Sequence, residues 1–151
     1  MIRLLRSNSL LVPLSFLLWC CNVSQQEEKK AIHEVIFKLI EADNKSDISA
    51  ILNAYTDSIE FYPPGGGFIR GPEAVRNSYE ELFREHKLDL KTEITETEIC
   101  KNHATIAGIN TGTKMSLIDS SLTPIKDRYL AIVVYNDKVG WKINKLAWCK
   151  N

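Results

Sequence analysis

"SIEFYPPGGGFIRGPEAVR" (Ser58–Arg76) packs two prolines, three consecutive glycines and a Gly-Pro step into one short run. Glycines in a row invite a phosphate-cradling reading, but the neighbouring residues exclude it. A phosphate loop needs Lys and then Ser or Thr after its last glycine; here Gly67 leads into Phe68-Ile69-Arg70, and Gly71 into Pro72. Proline also removes a backbone N–H from the helix start, where a phosphate would be held. A dinucleotide fingerprint needs its glycines at fixed spacing inside a strand–helix–strand unit, which this run lacks. The stretch instead specifies a change of structure. "SIEFY" alternates like a short strand and stops at Pro63-Pro64. Gly71-Pro72-Glu73 then opens a helix, with proline at its first position and an acid in its first turn.

Upstream, Ile32, Val35, Ile36, Leu39 and Ile40 recur at helical spacing. "ADNKSD" (42–47) breaks that pattern, and Ser46 reads as the N-cap of a second helix whose apolar face is Ile48, Ile51, Leu52 and Tyr55. Downstream, Ala74, Val75, Tyr79, Leu82 and Phe83 mark the buried face of the third helix. After His86 come four long runs of β-branched and aromatic residues. They are parted by Lys101-Asn102, Asp119-Ser120-Ser121 and Asn136-Asp137, the spacing of consecutive hairpins. Helices first and antiparallel strands afterwards make an α+β domain.

The chain has 151 residues, 44% apolar and 25% charged, with a formal net charge of zero. That is one domain's length, and the balance lacks the basic surplus of a nucleic-acid binder. The start is different in kind. Residues 1–21 carry Arg3 and Arg6, no acid, and the uncharged run Leu10–Trp19, too short to cross a membrane as a helix of about 20 residues. A basic start and a short apolar core are the build of a secretory signal peptide. "LLWCCN" resembles a bacterial lipoprotein signal. Leu18 lies three before Cys21, which favours Cys21 as the lipid attachment site, with Cys20 the alternative and plain secretion the runner-up. The expected organisation is a leader over 1–21, a tether over 22–27 and a domain over 28–151. The expected location is a bacterial membrane surface reached through the lipid. Without the leader the chain keeps two more acids than bases, and the cysteines Cys100 and Cys149.

"AILNAYTDSIEFYPPGG" followed by "IRGPEAVRNSYEELF", with "GWKI" at Gly140–Ile143, resembles the nuclear transport factor 2-like superfamily, in its SnoaL-like and ketosteroid-isomerase-like branch. The resemblance covers about residues 28–149. It implies a cone: a strongly curved antiparallel sheet over three N-terminal helices, the cystatin-like roll, enclosing a pocket. It further implies that two strands separate Cys100 from Cys149, so that both are free thiols.

Ketosteroid isomerase uses an aspartate base near the end of the short strand, faced by a tyrosine and a protonated aspartic acid. Here the base position falls on Tyr62 or Pro63, the first helix reads "VIFKL" without a tyrosine, and the last position falls near Ala131. That set does not carry over. Glu60, Tyr62 and Asp127 remain as candidate catalytic residues. The resemblance places Tyr55, Phe61, Tyr62, Tyr79, Phe83, Tyr129 and Trp141 on elements bordering the pocket, a lining suited to a small hydrophobic ligand. His33, His86 and His103 match no metal-ligand spacing, and no cofactor or metal is implied. The preferred reading is a ligand-binding domain without a catalytic set; the alternatives are an isomerase, dehydratase or cyclase with a rearranged acid–base pair, and an interaction module that forms a homodimer through its sheet. A carboxylate of raised pKa inside a cavity would favour the enzyme.

Overall fold

The computed structural model describes residues 15–150, with side chains from residue 25 onward. Residues 1–14 and the side chains of Cys20 and Cys21 lie outside this set, and with them the expectations of a leader and a lipid. Helix α1 spans Ser15–Lys45 and so includes residues 22–27. Its periodic residues turn inward: Ile32, Ile36, Leu39 and Ile40 are buried, as are Ala42 and Asp43. The helix stops where Ser46 takes a left-handed φ of 53°, and Asp47 N–H donates back to the Ala42 carbonyl. Asp47, not Ser46, caps α2 (Ile48–Asn53), its side chain accepting from Ala50 N–H at 3.0 Å. With Ser46 spent on the reversal, the next acceptor along the chain takes the cap.

Strand β1 (Tyr55–Tyr62) starts earlier than the alternation indicates, taking Tyr55 from the second helix. Ile59 and Phe61 point inward, and Glu60 and Tyr62 outward. The glycine run leads to a two-residue strand, β2 (Ile69–Arg70), which folds back on β1. Gly71, at φ 83°, caps α3 (Pro72–Glu85) and ties its backbone N–H to the Ile59 carbonyl. Only glycine takes that φ without strain. The four long strands follow: β3 (His86–Cys100), β4 (His103–Ser116), β5 (Leu122–Asn136) and β6 (Gly140–Lys150).

The sheet order is β2-β1-β6-β5-β4-β3. All pairs are antiparallel except β1 with β6, which run parallel. The expectation of a wholly antiparallel sheet is corrected here. The chain leaves β1 through α3, enters the sheet at its far edge and returns strand by strand, which brings β6 back beside β1 in the same direction. Register shifts near Thr95 on β3 and Asn144 on β6 add local bends. The face turned toward the helices is filled at one end by Ile106, Ala131, Val133 and Ile143, packed on Ile32, Ile51 and Val75. Burying each such aliphatic side chain contributes about 1.5–3 kcal/mol.

Cys100 and Cys149 are free, as the strand order requires. Strands β4 and β5 stand between β3 and β6, a separation of about 14 Å at ~4.8 Å per strand. A disulfide reaches roughly 7 Å between Cα atoms.

Candidate functional site

The other end of the inward sheet face is not filled. Antiparallel register builds it from rows of side chains that share a face. One row is Leu88, Lys114 and Thr123; the next is Leu90, Gly112 and Ile125. A third is Thr92, Asn110, Asp127 and Lys150, and a fourth is Ile94, Gly108, Tyr129 and Trp148. Over these rows lie the C-terminal end of α1 and the inner face of α3, with Asp43, Ser78, Tyr79 and Leu82. The space between is a cavity of about 410 Å³, closed on the β1 side by Phe61, Leu146 and Trp148. Phe61 meets Tyr79 and Trp148 edge-on, with ring centroids 6.2 and 5.8 Å away.

Asp43 is the chemical centre of this space. It is the one buried charged side chain among the described residues, 7% exposed. It sits where "ADNKSD" interrupts the apolar pattern of α1, at a position a greasy residue would otherwise take. The neighbouring Asn44 sets its place. The Asn44 amide donates to the Leu90 carbonyl at 2.9 Å and accepts from Leu90 N–H at 2.7 Å. This two-bond clamp fixes the end of α1 on β3 and turns Asp43 toward the cavity. Asn44 thus spends its amide on the backbone of β3.

Burial pushes the Asp43 carboxyl up to about 7, with the Tyr79 hydroxyl pulling the other way. That hydroxyl acts on the carboxyl from alongside, and Oδ1 of Asp43 is left buried with no hydrogen-bond partner. Tyr79 is in turn bonded to Tyr55, their hydroxyls 3.1 Å apart. Burial and the nearby Asp43 raise both phenols well above their ordinary value, so both stay protonated and serve as donors. The bonded Tyr55–Tyr79 pair thus stands beside a carboxyl that burial raises to about 7.

Three further polar groups face the same space. Asn110 Oδ1 is a second buried acceptor without a partner. Asp127, its cross-strand neighbour, is raised by burial, with Lys150 opposing. The Tyr129 hydroxyl lies 3.1 Å from Thr92 Oγ1. Tyr129 reaches there because its partner across the ladder is Gly108, whose missing Cβ would stand 2.4 Å from the ring.

A family model for the SnoaL-like domain matches residues 36–138, about two-thirds of the sequence. The chain belongs to the SnoaL-like domain family. Among curated proteins none matches it. Among solved structures, a ketosteroid isomerase-like protein from Erwinia carotovora atroseptica is 22% identical, with a TM-score of 0.76 over 82% of this chain and 96% of that one. A putative scytalone dehydratase from Novosphingobium aromaticivorans is 12% identical, with a TM-score of 0.79 over 86% of this chain and 88% of that one. A hexachlorocyclohexane dehydrochlorinase is 17% identical, with a TM-score of 0.76 over 86% and 89%. At such identities the likeness carries the fold.

Within this SnoaL-like fold the residues singled out from sequence separate. Phe61, Tyr79, Tyr129 and Asp127 line the cavity. Tyr55 stands one layer behind, buried against Phe61 and bonded to Tyr79. Phe83 packs on the core beside Tyr79. Trp141 borders a separate open groove of about 400 Å³ between α1, α2 and β6. Glu60 and Tyr62 face the opposite side of β1. There Glu60 binds Arg70 at 2.6 Å, the Tyr62 hydroxyl at 2.9 Å, and Lys145. Lys145, Tyr62 and Arg70 hold its carboxyl down to about 2, so it stays ionised and paired away from the cavity. Sequence reasoning missed Asp43, Asn44 and Asn110. The available signal was an acid at a position in phase with Ile32, Ile36, Leu39 and Ile40, read there only as the end of the helix. Among the described residues no helix is long and apolar enough to cross a membrane.

Proposed function

We propose that this domain is an enzyme of the isomerase or lyase kind that moves a proton on a small, largely apolar substrate, with Asp43 as general base. One observation carries the reading: a buried carboxyl, its Oδ1 unpartnered, in a cavity whose walls include Phe61, Leu82, Leu88, Leu90 and Ile125. Leaving a buried acceptor unpartnered costs roughly 1–3 kcal/mol, and a bound substrate that offers a proton removes that cost. A base poised near the working pH is the most efficient one. The Tyr79 hydroxyl, held by Tyr55, favours the ionised carboxylate that takes up the proton. The Tyr129 hydroxyl supplies a donor for charge that develops on the substrate as its proton leaves. Glu60 and Tyr62 have no part in this set. A cavity that only binds its ligand gains nothing from an ionisable group kept at such cost, which favours the enzyme over a plain binding domain.

A generic carbon acid tests the reading without knowledge of the natural substrate. Base removes the ring C–H proton of 5-nitrobenzisoxazole, the N–O bond breaks, and a coloured cyanophenolate forms. The protein is expected to accelerate this ring opening, with a rate that rises through pH 7. Asp43→Asn is expected to lower the rate by roughly 10²-fold or more, the usual worth of a positioned base. Equal rates in the two proteins would defeat the assignment.

We also infer export with lipid attachment at Cys21, supported by the basic start and the apolar run before the cysteine pair. Mass spectrometry of protein taken from its own membrane fraction checks this; an unprocessed N-terminus would contradict it.

A further inference from the structure

The rows that floor the cavity change character in order along its length. At one end the row of Leu88, Lys114 and Thr123 reaches the surface at Thr123. Next comes the aliphatic row of Leu90 and Ile125, parted by Gly112, with Leu82 of α3 packed against the leucines. Then comes a polar row of Thr92, Asn110, Asp127 and Lys150. Beyond it the row turns aromatic, Tyr129 beside Trp148, and Phe61 and Tyr79 close that end. Rows on one face lie two residues apart, ~6.6 Å along the strands. From Thr123 inward the cavity is thus aliphatic, then polar, then aromatic. Asp43 lies between the two ends. Asn44 beside it binds Leu90 in the aliphatic row, and Tyr79, whose hydroxyl acts on its carboxyl, packs against Phe61 at the aromatic end.

We propose that the substrate is a carbonyl compound with a flat conjugated ring on one side of the carbonyl and an aliphatic chain on the other, bound ring-inward. The ring lies among Phe61, Tyr79, Tyr129 and Trp148, the carbonyl at the polar row, and the chain along the leucines toward Thr123. This rests on the function proposed above and adds the substrate class and its orientation. Aromatic walls favour a flat ring through edge-on and offset contacts, which an alkyl chain cannot make. The aliphatic row offers area alone, which a chain fills. Asp43 then faces the carbon that joins carbonyl and chain. Its carboxylate takes a proton from that carbon, and the C–H electron pair passes into the carbonyl to give an enolate. The Tyr129 hydroxyl, 3.1 Å from Thr92 Oγ1 of the polar row, donates to the enolate oxygen.

The probe is 2-hexanoylnaphthalene, with 2-acetylnaphthalene as its chainless counterpart. In NMR of the whole native protein, its ring protons should show nuclear Overhauser contacts to Trp148 and Tyr129, and its terminal methyl contacts to Leu88 and Ile125. Reversed or mixed contacts would overturn the proposal. Ile125→Ala should weaken the hexanoyl ketone by about three- to tenfold, as the chain loses apolar wall, and leave the acetyl ketone unchanged. Equal loss of both would count against it in the same way. In deuterated water the protein should speed deuterium uptake at the carbon between carbonyl and chain, and Asp43→Asn should lose that effect. No uptake while 5-nitrobenzisoxazole still opens would reject the carbonyl substrate and leave the base standing. Failure of both reactions would remove the base, and the substrate class with it.

Discussion

Replacing Asp43 with Asn should make the protein more stable, and only at the higher pH values. The carboxyl has an ordinary value of 3.8 and is pushed to about 7 by burial. Between those limits the folded chain holds a proton that the unfolded chain has released. Stability therefore falls as pH rises from about 4 to 7 and levels off above. Keeping an ionised carboxylate there costs the fold up to about 4 kcal/mol at pH 8, at 1.36 kcal/mol for each tenfold change in proton affinity. Asparagine keeps the shape and cannot ionise. The variant should match the native protein near pH 4 and exceed it by about 2–4 kcal/mol at pH 8, the lower figure allowing for relaxation around the charge. Urea unfolding at a series of pH values reads this directly, since a change in midpoint at constant slope is a change in stability. A gap that does not widen between pH 4 and pH 8 would refute the reasoning. The same substitution should lower the ring-opening rate by roughly 10²-fold or more, the exchange of stability for activity expected where a site holds a destabilising group.

Other positions carry smaller and distinct expectations. Asn44→Ala removes both bonds to Leu90 and leaves a strand N–H and carbonyl unpaired; thermal unfolding should show a loss of about 1–3 kcal/mol, with slower ring opening as Asp43 loses its support. Gly108→Ala places a methyl 2.4 Å from the Tyr129 ring and 2.6 Å from the Glu93 carbonyl, so denaturant unfolding should show a cost of about 1–3 kcal/mol. Glu60→Gln should leave ring-opening activity unchanged, because Glu60 faces away from the cavity. Its carboxyl is held down to about 2, below its ordinary 4.5. The stability it gives is present above 4.5 and lost as pH falls toward 2, so acid unfolding curves of the variant should lack that component.

The sequence makes much of this architecture legible because its punctuation is strong. Proline and glycine end β1 and start α3, and polar turns divide the four long strands at Lys101-Asn102, Asp119–Ser121 and Asn136-Asp137. The parallel partnership of β1 and β6 was hidden, since strand patterns record faces and not neighbours. Ser46 looked like a cap and became the reversal before it, a matter of one backbone angle. The aromatic set was visible as a group, but which members reach the cavity depends on the alternation of single residues along β1, as Phe61 and Tyr62 show. Asp43 was the harder case. An acid closing a helical pattern usually faces water, and only the Asn44 clamp, formed with a strand 46 residues away, turns it inward.

The proposed base depends above all on the state of the Asp43 carboxyl. Carbon-13 NMR of aspartate-labelled protein, with Asp43→Asn assigning the resonance, follows that carboxyl through a pH titration. A midpoint near 7 is the result predicted. A midpoint near 3.8, the ordinary value, would mean an ionised and solvated side chain, and the proposed base would be gone.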